Sequence, residues 1–146
     1  SIELYEQDTF LKPFAKEFVG AVKASGLRTA IGTSNNQSII QPVLSKYGMT
    51  QDFDLILTCC EVGRGKPAPD VYLNLADALK VKPADCVVFE DTLEGVLAGK
   101  SAGMFVYAVE EPAHDNLKHE IQKACDRYIS GFGYFRHDLG KIREIL

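Results

Sequence analysis

The stretch Cys86-Val87-Val88-Phe89-Glu90-Asp91-Thr92 indicates the fold class of this 146-residue chain. Its first four residues form an apolar run typical of a strand that is buried on both faces, and two carboxylates follow directly. Further strands are predicted at residues 27–32, 54–58 and 104–108. Segments with helical apolar spacing separate these strands. This alternation is typical of an α/β fold with a mostly parallel sheet.

Helices are predicted where apolar residues recur at helical spacing between and after the strands. Pro42 places the start of the second helix late, because proline suits the first turn of a helix. Asp70 is placed to cap the third helix. A short fifth strand is predicted at 127–129. The predicted helices span residues 13–25, 40–47, 71–79, 93–103, 115–125 and 139–146.

The composition excludes several classes of protein. Hydrophobic residues make up 46% of the chain and charged residues 25%, a balance that fits a folded protein and neither a disordered nor a fibrous one. The net charge is −4, from 16 Lys and Arg against 20 Asp and Glu, so nucleic acid is not expected as a partner. No apolar run approaches the ~20 residues of a membrane span, and the N-terminus lacks the pattern of a secretory signal. We therefore expect no membrane association and a location in the cytoplasm.

The cysteines and histidines do not form a recognisable metal or disulfide pattern. The chain has no Cys-x-x-Cys pair, so we expect its cysteines to be buried, reduced thiols. His114 and His119 are five residues apart, which does not place them on one helical face, so we expect surface histidines, including His137. The aromatic residues near the C-terminus are expected to pack under the last helix. These are Tyr128, Phe132, Tyr134 and Phe135.

Polar residues follow three of the predicted strands at the point where each strand ends. Thr33-Ser34-Asn35 follows the first strand, the loop after the second carries Lys66, and Glu90-Asp91 ends the third. In an open parallel sheet, ligands bind beyond the carboxyl ends of the strands, so these groups are expected at one edge. Turn amides with a hydroxyl favour an anion, an ammonium neutralises phosphate, and paired carboxylates suit Mg²⁺.

Each of these groups also has a purely structural explanation. Thr33-Ser34-Asn35 is a common helix-capping sequence, and Lys66 could be a solvated loop residue. Asp91 could cap a helix while Glu90 faces water. If there were no functional site, all three structural explanations would have to hold at positions that the sheet topology brings together. We therefore favour the joint interpretation, a Mg²⁺-assisted phosphate site.

Three motifs follow one another along the chain. They are Ile31-Gly32-Thr33-Ser34-Asn35, Gly65-Lys66-Pro67-Ala68-Pro69-Asp70 and Phe89-Glu90-Asp91-Thr92-Leu93-Glu94-Gly95-Val96, followed by Ala102-Gly103-Met104. In this order they resemble the motifs of the haloacid dehalogenase-like hydrolases. The resemblance covers about residues 10–130 and is strongest to the branch with β-phosphoglucomutase and small-molecule phosphatases that carry a helical cap. It implies a Rossmann-like three-layer αβα core with a mostly parallel sheet.

The resemblance also implies a role for each candidate residue. Thr33 would bind the transferring phosphoryl group with its hydroxyl, helped by the amides of Ser34 and Asn35. Lys66 would neutralise the phosphate and the nucleophile. Asp91 would hold Mg²⁺, with Glu90 as a direct or water-mediated ligand. Such a clamp of cations and amides stabilises the charge on the phosphoryl oxygens in the transition state.

The family's first motif, Asp-x-Asp-x-Thr at the end of the first strand, is absent from this chain. In the family it supplies the carboxylate nucleophile and the general acid/base. Asp52-Phe53-Asp54 precedes a strand instead of ending one, so we expect it at the opposite edge of the sheet, without a catalytic role.

The missing motif has a structural consequence. In the family its strand lies between the strand that ends here at Thr33 and the one that ends at Asp91, so we expect two half-sheets in this chain. Unpaired strand edges in the middle of a sheet are rarely tolerated, so we infer that an upstream segment or another chain completes the sheet. Residues 1–10 would be the end of a cap segment or a linker, and residues 11–146 the C-terminal part of the core domain.

Three functions remain open at this point. The first is a Mg²⁺-dependent phosphatase of a small phosphorylated metabolite that works through an aspartyl-phosphate. Its nucleophile would lie upstream of Ser1, so this segment alone is expected to be inactive. The second is a phosphosugar mutase, which returns the phosphoryl group to the sugar instead of to water. The third is a non-catalytic phosphate-binding module that lacks the nucleophile.

Overall fold

A computed structural model of the chain describes residues 12–136. The helix predicted at 139–146, the cap segment or linker predicted at 1–10, and His137 lie outside this range. No helix within it is long and apolar enough to cross a membrane. In chain order, the described elements are α1 (Ala15–Ala24), β1 (Ala30–Thr33), α2 (Gln37–Lys46), β2 (Leu55–Thr58), α3 (Cys59–Val62), α4 (Asp70–Ala78), β3 (Val87–Glu90), α5 (Leu93–Ser101), β4 (Phe105–Val109), α6 (Lys118–Ala124) and β5 (Arg127–Ile129).

The strands pair in parallel, as predicted, but in two separate sheets. β1 pairs with β2, with Thr33 opposite Thr58 at their carboxyl ends. β4 lies between β3 and β5 in the second sheet, with Glu90 opposite Ala108. The fifth strand was predicted at the residues where it occurs. The expectation of two half-sheets is therefore confirmed.

A cavity of about 570 Å³ lies between the two half-sheets. Ala30 of β1 lines it from one side, and Val87 and Val88 of β3 line it from the other. Phe18 of α1 and Leu75 of α4 also contribute to its wall. The cavity thus occupies the position predicted for the missing strand, between the strand that ends at Thr33 and the strand that ends at Glu90.

Helices cover both faces of the strands, which gives the predicted three layers. Adjacent residues of a strand point to opposite faces, so Val88 and Phe89 belong to different core clusters. The cluster around Phe89 contains residues of α1 and α2, and the cluster around Val88 contains residues of α4, α5 and α6. Phe132 and Phe135 stack on Phe18 in the first cluster and are buried, whereas Tyr134 is exposed and Tyr128 is half-buried. The helix under which the four aromatic residues were predicted to pack lies outside the described residues.

Two of the predicted helix starts were wrong, and each has a local cause. α2 begins at Gln37, because Asn36 has an extended backbone and its side chain accepts a hydrogen bond from the amide of Ile39. Pro42 therefore lies inside the helix instead of in its first turn. Asp70 does not cap α4, since Pro69 precedes the helix and the Asp70 carboxylate binds Arg64 instead.

Two other segments also differ from the predictions. The region after β2 begins with a helical turn, α3, because Thr58 and Glu61 form a reciprocal capping box. The helix predicted at 115–125 is divided into a 3₁₀ segment, Pro112–Leu117, and α6. All four cysteines are free thiols, but burial was predicted correctly only for Cys59, since Cys60 is exposed and the other two are half-buried.

The packing of α5 on the second half-sheet can be tested at Gly99. A Cβ at this position would lie 2.7 Å from Cγ2 of Val106, so we expect Gly99→Ala to lower the free energy of unfolding by about 1–3 kcal/mol. Gly20→Ala in α1 is the matched control, because a Cβ there would meet nothing within 4 Å. The control should raise the free energy of unfolding by about 0.5–1 kcal/mol. Urea unfolding measures both values, and equal effects would contradict the close packing at Gly99.

Candidate active site

The turn after β1 forms the first part of the candidate site. Thr33 is the last residue of the strand, and its hydroxyl oxygen accepts a hydrogen bond from the amide of Asn35 at 3.0 Å. Ser34 is exposed, whereas Thr33 and Asn35 are half-buried. The turn then leads into α2, whose first turn carries no acidic residue. Exposed amides and a hydroxyl at the N-terminal end of a helix are suited to an anion.

Lys66 connects the two half-sheets. Its ammonium donates to the carbonyl oxygen of Gly32 at 3.1 Å and to Oε1 of Glu90 at 2.5 Å. Gly32 belongs to β1 and Glu90 ends β3, so one side chain binds a strand end in each half-sheet. The side chain of Lys66 is 4% exposed. Lys66 is therefore a buried, paired cation and not a solvated loop residue.

The neighbouring carboxylates of Glu90 and Asp91 each have their own cation. Oε1 of Glu90 accepts hydrogen bonds from Lys66 and from the hydroxyl of Tyr72. Oδ2 of Asp91 lies 3.5 Å from the ammonium of Lys12. Both acidic side chains are almost completely buried, which requires such partners. The mutual repulsion expected of two adjacent carboxylates is thus relieved by two separate ammonium groups.

The carboxylate of Glu90 also depends on the absence of a side chain at residue 95. A Cβ on Gly95, in the first turn of α5, would overlap Cδ of Glu90. The amide of Gly95 donates to the hydroxyl of Thr92, which caps the helix. The first turn of α5 is therefore packed directly on the Glu90 side chain.

The sequence reasoning missed two residues of the site and assigned a third only to the surface. Lys12 binds the Glu111 carboxylate at 2.8 Å in addition to its contact with Asp91. Tyr72 binds Glu90, and Nδ1 of His114 lies 2.9 Å from the carbonyl oxygen of Asp91. No local pattern indicates these contacts, because each joins residues at least 18 positions apart.

The donor set near the strand ends fits a hard cation at Asp91. Mg²⁺ is usually bound by one or two carboxylates together with waters and substrate phosphate. Within residues 12–136, no group of three or more His, Cys, Asp or Glu side chains converges as a metal site. Asp91 supplies one buried carboxylate at the end of β3, whereas an oxygen of Glu90 is bound by an ammonium and a hydroxyl. The roles of Asp91 and Glu90 as metal ligands stay predictions.

Asp52-Phe53-Asp54 lies at the other end of the strands, as expected. Oδ2 of Asp54 accepts a hydrogen bond from the amide of Thr29, which precedes β1. The hydroxyl of Thr29 donates to the carbonyl oxygen of Asp52. These contacts hold together the amino ends of β1 and β2, while Lys66 contacts the carboxyl end of β1.

The loop that carries Lys66 is closed by an ion pair. Arg64 donates to both carboxylate oxygens of Asp70, at 2.9 and 2.8 Å. This bidentate hydrogen bond holds the pKa of Asp70 below its ordinary value. The pair therefore joins the two ends of the segment 64–70, which contains Lys66.

This ion pair predicts a pH dependence. Because the pKa of Asp70 is lower in the folded chain, its contribution to stability is present above the unfolded pKa, roughly 4, and is lost as the pH falls through the folded pKa. In Arg64→Gln the pKa of Asp70 should rise towards its ordinary value. Carbon-detected NMR titration of the carboxyl group measures this change.

Arg28→Gln provides the matched control, because it removes the same charge from another exposed arginine. It should leave the titration of Asp70 unchanged. An Asp70 carboxyl group that titrates alike in the wild type and in Arg64→Gln would contradict the assignment.

Comparisons with known proteins show what the chain as a whole resembles. The family model of the haloacid dehalogenase-like hydrolases matches residues 1–103. The chain is 39% identical over 98 residues to the bifunctional riboflavin kinase/FMN phosphatase of Arabidopsis thaliana, covering 66% of this chain and 26% of the relative. It is 31% identical over 116 residues to hexitol phosphatase B of Escherichia coli K12, covering 80% and 52%. The chain thus spans between about a quarter and about half of the length of these curated relatives.

Solved structures show the same similarity. One is a HAD family hydrolase from Deinococcus radiodurans R1 with bound phosphate and sodium, at a TM-score of 0.81. Another is a putative β-phosphoglucomutase from Thermotoga maritima, at a TM-score of 0.79. Each is 29% identical to this chain, and each alignment covers 93% of this chain and 61% of the other.

Proposed function

Because the chain belongs to the haloacid dehalogenase-like hydrolases, we propose that the protein is a Mg²⁺-dependent phosphatase of a small phosphorylated metabolite. The observation that carries the proposal is the buried ammonium of Lys66, held between the carboxyl ends of β1 and β3. A buried cation at this edge of a parallel sheet is suited to an anionic ligand. The phosphatases among the relatives support the same activity.

In the proposed reaction, the turn after β1 binds the phosphoryl group. The hydroxyl oxygen of Thr33 accepts from the amide of Asn35, so the hydroxyl proton can point towards a phosphoryl oxygen. The amide of Ser34 would add a donor, whereas the amide of Asn35 already binds Thr33 and would act through that hydroxyl. Lys66 would supply the positive charge. Asp91 would hold Mg²⁺, whose charge would offset the negative charge of the phosphoryl oxygens. These groups would stabilise the transition state electrostatically.

We propose that the nucleophile is an aspartate carried by a segment upstream of Ser1, or by another chain, and that this segment fills the cavity between the half-sheets. The carboxylate would attack phosphorus and the bond from phosphorus to the ester oxygen would break, with the general acid of the absent motif protonating that oxygen so that it leaves as the alcohol. The same group would then take a proton from the water that attacks the aspartyl-phosphate, which releases inorganic phosphate and restores the aspartate. The apolar cavity and the greater length of the relatives support this proposal. We also propose that the protein lies in the cytoplasm.

The full-length protein should hydrolyse 4-nitrophenyl phosphate only when Mg²⁺ is present. Lys66→Met should lower kcat/KM by about a hundred- to a thousandfold, because it removes a preorganised charge from the transition state. Asp91→Asn should raise the Mg²⁺ concentration that is needed for half-maximal activity. Steady-state assays of released nitrophenolate measure both effects.

The control variants are Lys82→Met and Asp77→Asn, which change exposed residues of the same types. Both should keep wild-type activity. Residues 1–146 alone should turn nothing over, and activity of this segment would contradict the placement of the nucleophile outside it. A full-length protein that is inactive towards a broad panel of phosphate monoesters would refute the proposed function.

A phosphosugar mutase is the alternative that a specific observation favours. The putative β-phosphoglucomutase from Thermotoga maritima is similar over 93% of this chain. Both reactions would use the same residues and differ in whether water or the sugar receives the phosphoryl group. Phosphorus NMR with a hexose 1-phosphate distinguishes them, because a mutase conserves esterified phosphate and a phosphatase releases inorganic phosphate.

A further inference from the structure

Tyr72 occupies an unusual position for a tyrosine in the core. It is the third residue of α4 and is 2% exposed. Its hydroxyl donates to Oε1 of Glu90, the same oxygen that binds the ammonium of Lys66. The ammonium also lies 5.3 Å from the centre of the Tyr72 ring. Side chains from α4, from the Lys66 loop and from β3 thus meet at one carboxylate oxygen.

The hydroxyl group of Tyr72 is not needed to fill space. The ring packs near Gly32, where Cε1 of Tyr72 would lie 3.3 Å from an added Cβ, and it belongs to the apolar cluster that contains Val71 and Leu75. Phenylalanine would fill the same volume without a polar atom. A hydroxyl and a carboxylate that are both buried cost free energy unless they bind each other. Their pairing beside Lys66 therefore calls for an explanation other than packing.

The position of Lys66 depends on that of Glu90. The ammonium is held between the Gly32 carbonyl, which is fixed in β1, and Oε1, which belongs to a side chain. Gly95 closes one side of the carboxylate, and the Tyr72 hydroxyl binds it at Oε1. Without the hydroxyl, the carboxylate can turn about its side-chain bonds, and the ammonium can follow it.

We propose that Tyr72 is a positioning residue, whose hydroxyl fixes the Glu90 carboxylate and through it the Lys66 ammonium. This inference rests on the proposed function, in which Lys66 stabilises the transferring phosphoryl group. A cation displaced by a fraction of an ångström still attracts phosphate, but it fits the transition state less well. Loss of the hydroxyl therefore lowers kcat and leaves KM nearly unchanged.

Tyr72→Phe in the full-length protein tests the proposal. We expect kcat to fall about ten- to a hundredfold, the effect of losing one hydrogen bond to a charged group, with KM changed less than about threefold. Tyr107→Phe is the matched control, because Tyr107 is equally buried but lies in the other core cluster. The control should keep wild-type kcat. Because Tyr72→Phe takes a hydrogen bond from a buried carboxylate, its thermal unfolding midpoint should lie below that of Tyr107→Phe, so kcat is compared at a temperature at which both variants are folded.

A double variant separates positioning from a general effect on the structure. If Tyr72 acts through Lys66, adding Tyr72→Phe to Lys66→Met lowers kcat no further. If kcat of Tyr72→Phe matches that of the wild type, or if the same fold loss recurs in the Lys66→Met background, the proposal is wrong.

NMR of the lysine Nζ groups gives a readout that does not depend on activity. A buried, hydrogen-bonded ammonium exchanges slowly with water, so the Lys66 signal should be visible in the wild type and absent from Lys66→Met. It should shift or broaden in Tyr72→Phe and stay unchanged in Tyr107→Phe. An unchanged Lys66 signal in Tyr72→Phe overturns the proposal. A changed signal in a protein without phosphatase activity supports the positioning contact and refutes the proposed function.

Discussion

The ammonium of Lys66 is bound by the carbonyl oxygen of Gly32 on one side and by the carboxylate of Glu90 on the other. These two groups belong to different half-sheets, which do not pair with each other in the described residues. Burying an ammonium and a carboxylate costs free energy that their attraction repays only when the geometry is good. Two neighbouring features favour this geometry. The Arg64–Asp70 pair closes the loop that carries Lys66, and Gly95 leaves room for the Glu90 carboxylate.

This arrangement separates the tasks of two adjacent acids. Glu90 holds the ammonium of Lys66 and the hydroxyl of Tyr72, so it serves the cation that would contact phosphate. Asp91 faces Lys12 and lies at the carboxyl end of the same strand. A buried salt bridge is weak evidence for stability. The burial of Lys66 with Glu90 therefore does not by itself explain the pair, whereas a ligand bound by the ammonium would require its charge to be held at this place.

The meeting of polar residues at one sheet edge could be predicted from the sequence. In a parallel sheet the carboxyl ends of the strands lie together, which follows from the order of strands and helices alone. The pattern placed Lys66 and Glu90 at one edge, and the two side chains are in contact. The roles of Tyr72, Lys12 and His114 could not be predicted, because their contacts depend on how α4, the segment before α1 and the 3₁₀ segment after β4 pack on the strands. A tyrosine at an apolar position of a helix looks like a core residue, and the sequence does not show where its hydroxyl points.

The starts of two helices could not be predicted either, although the contacts that determine them join residues close in sequence. Asn36 and Asp70 are both favourable capping residues, yet Asn36 caps α2 while Asp70 binds Arg64. The path of the loop determines whether such a side chain binds a backbone amide, as Asn36 does, or a guanidinium, as Asp70 does.

The gap between the half-sheets follows from the same order of elements. β1 and β3 both run towards the site, and the cavity between them is lined by residues of both. A strand that entered this cavity parallel to its neighbours would end beside Gly32 and Glu90, the two groups that hold Lys66. Under the function proposed above, a carboxylate at the end of that strand would lie near the ammonium.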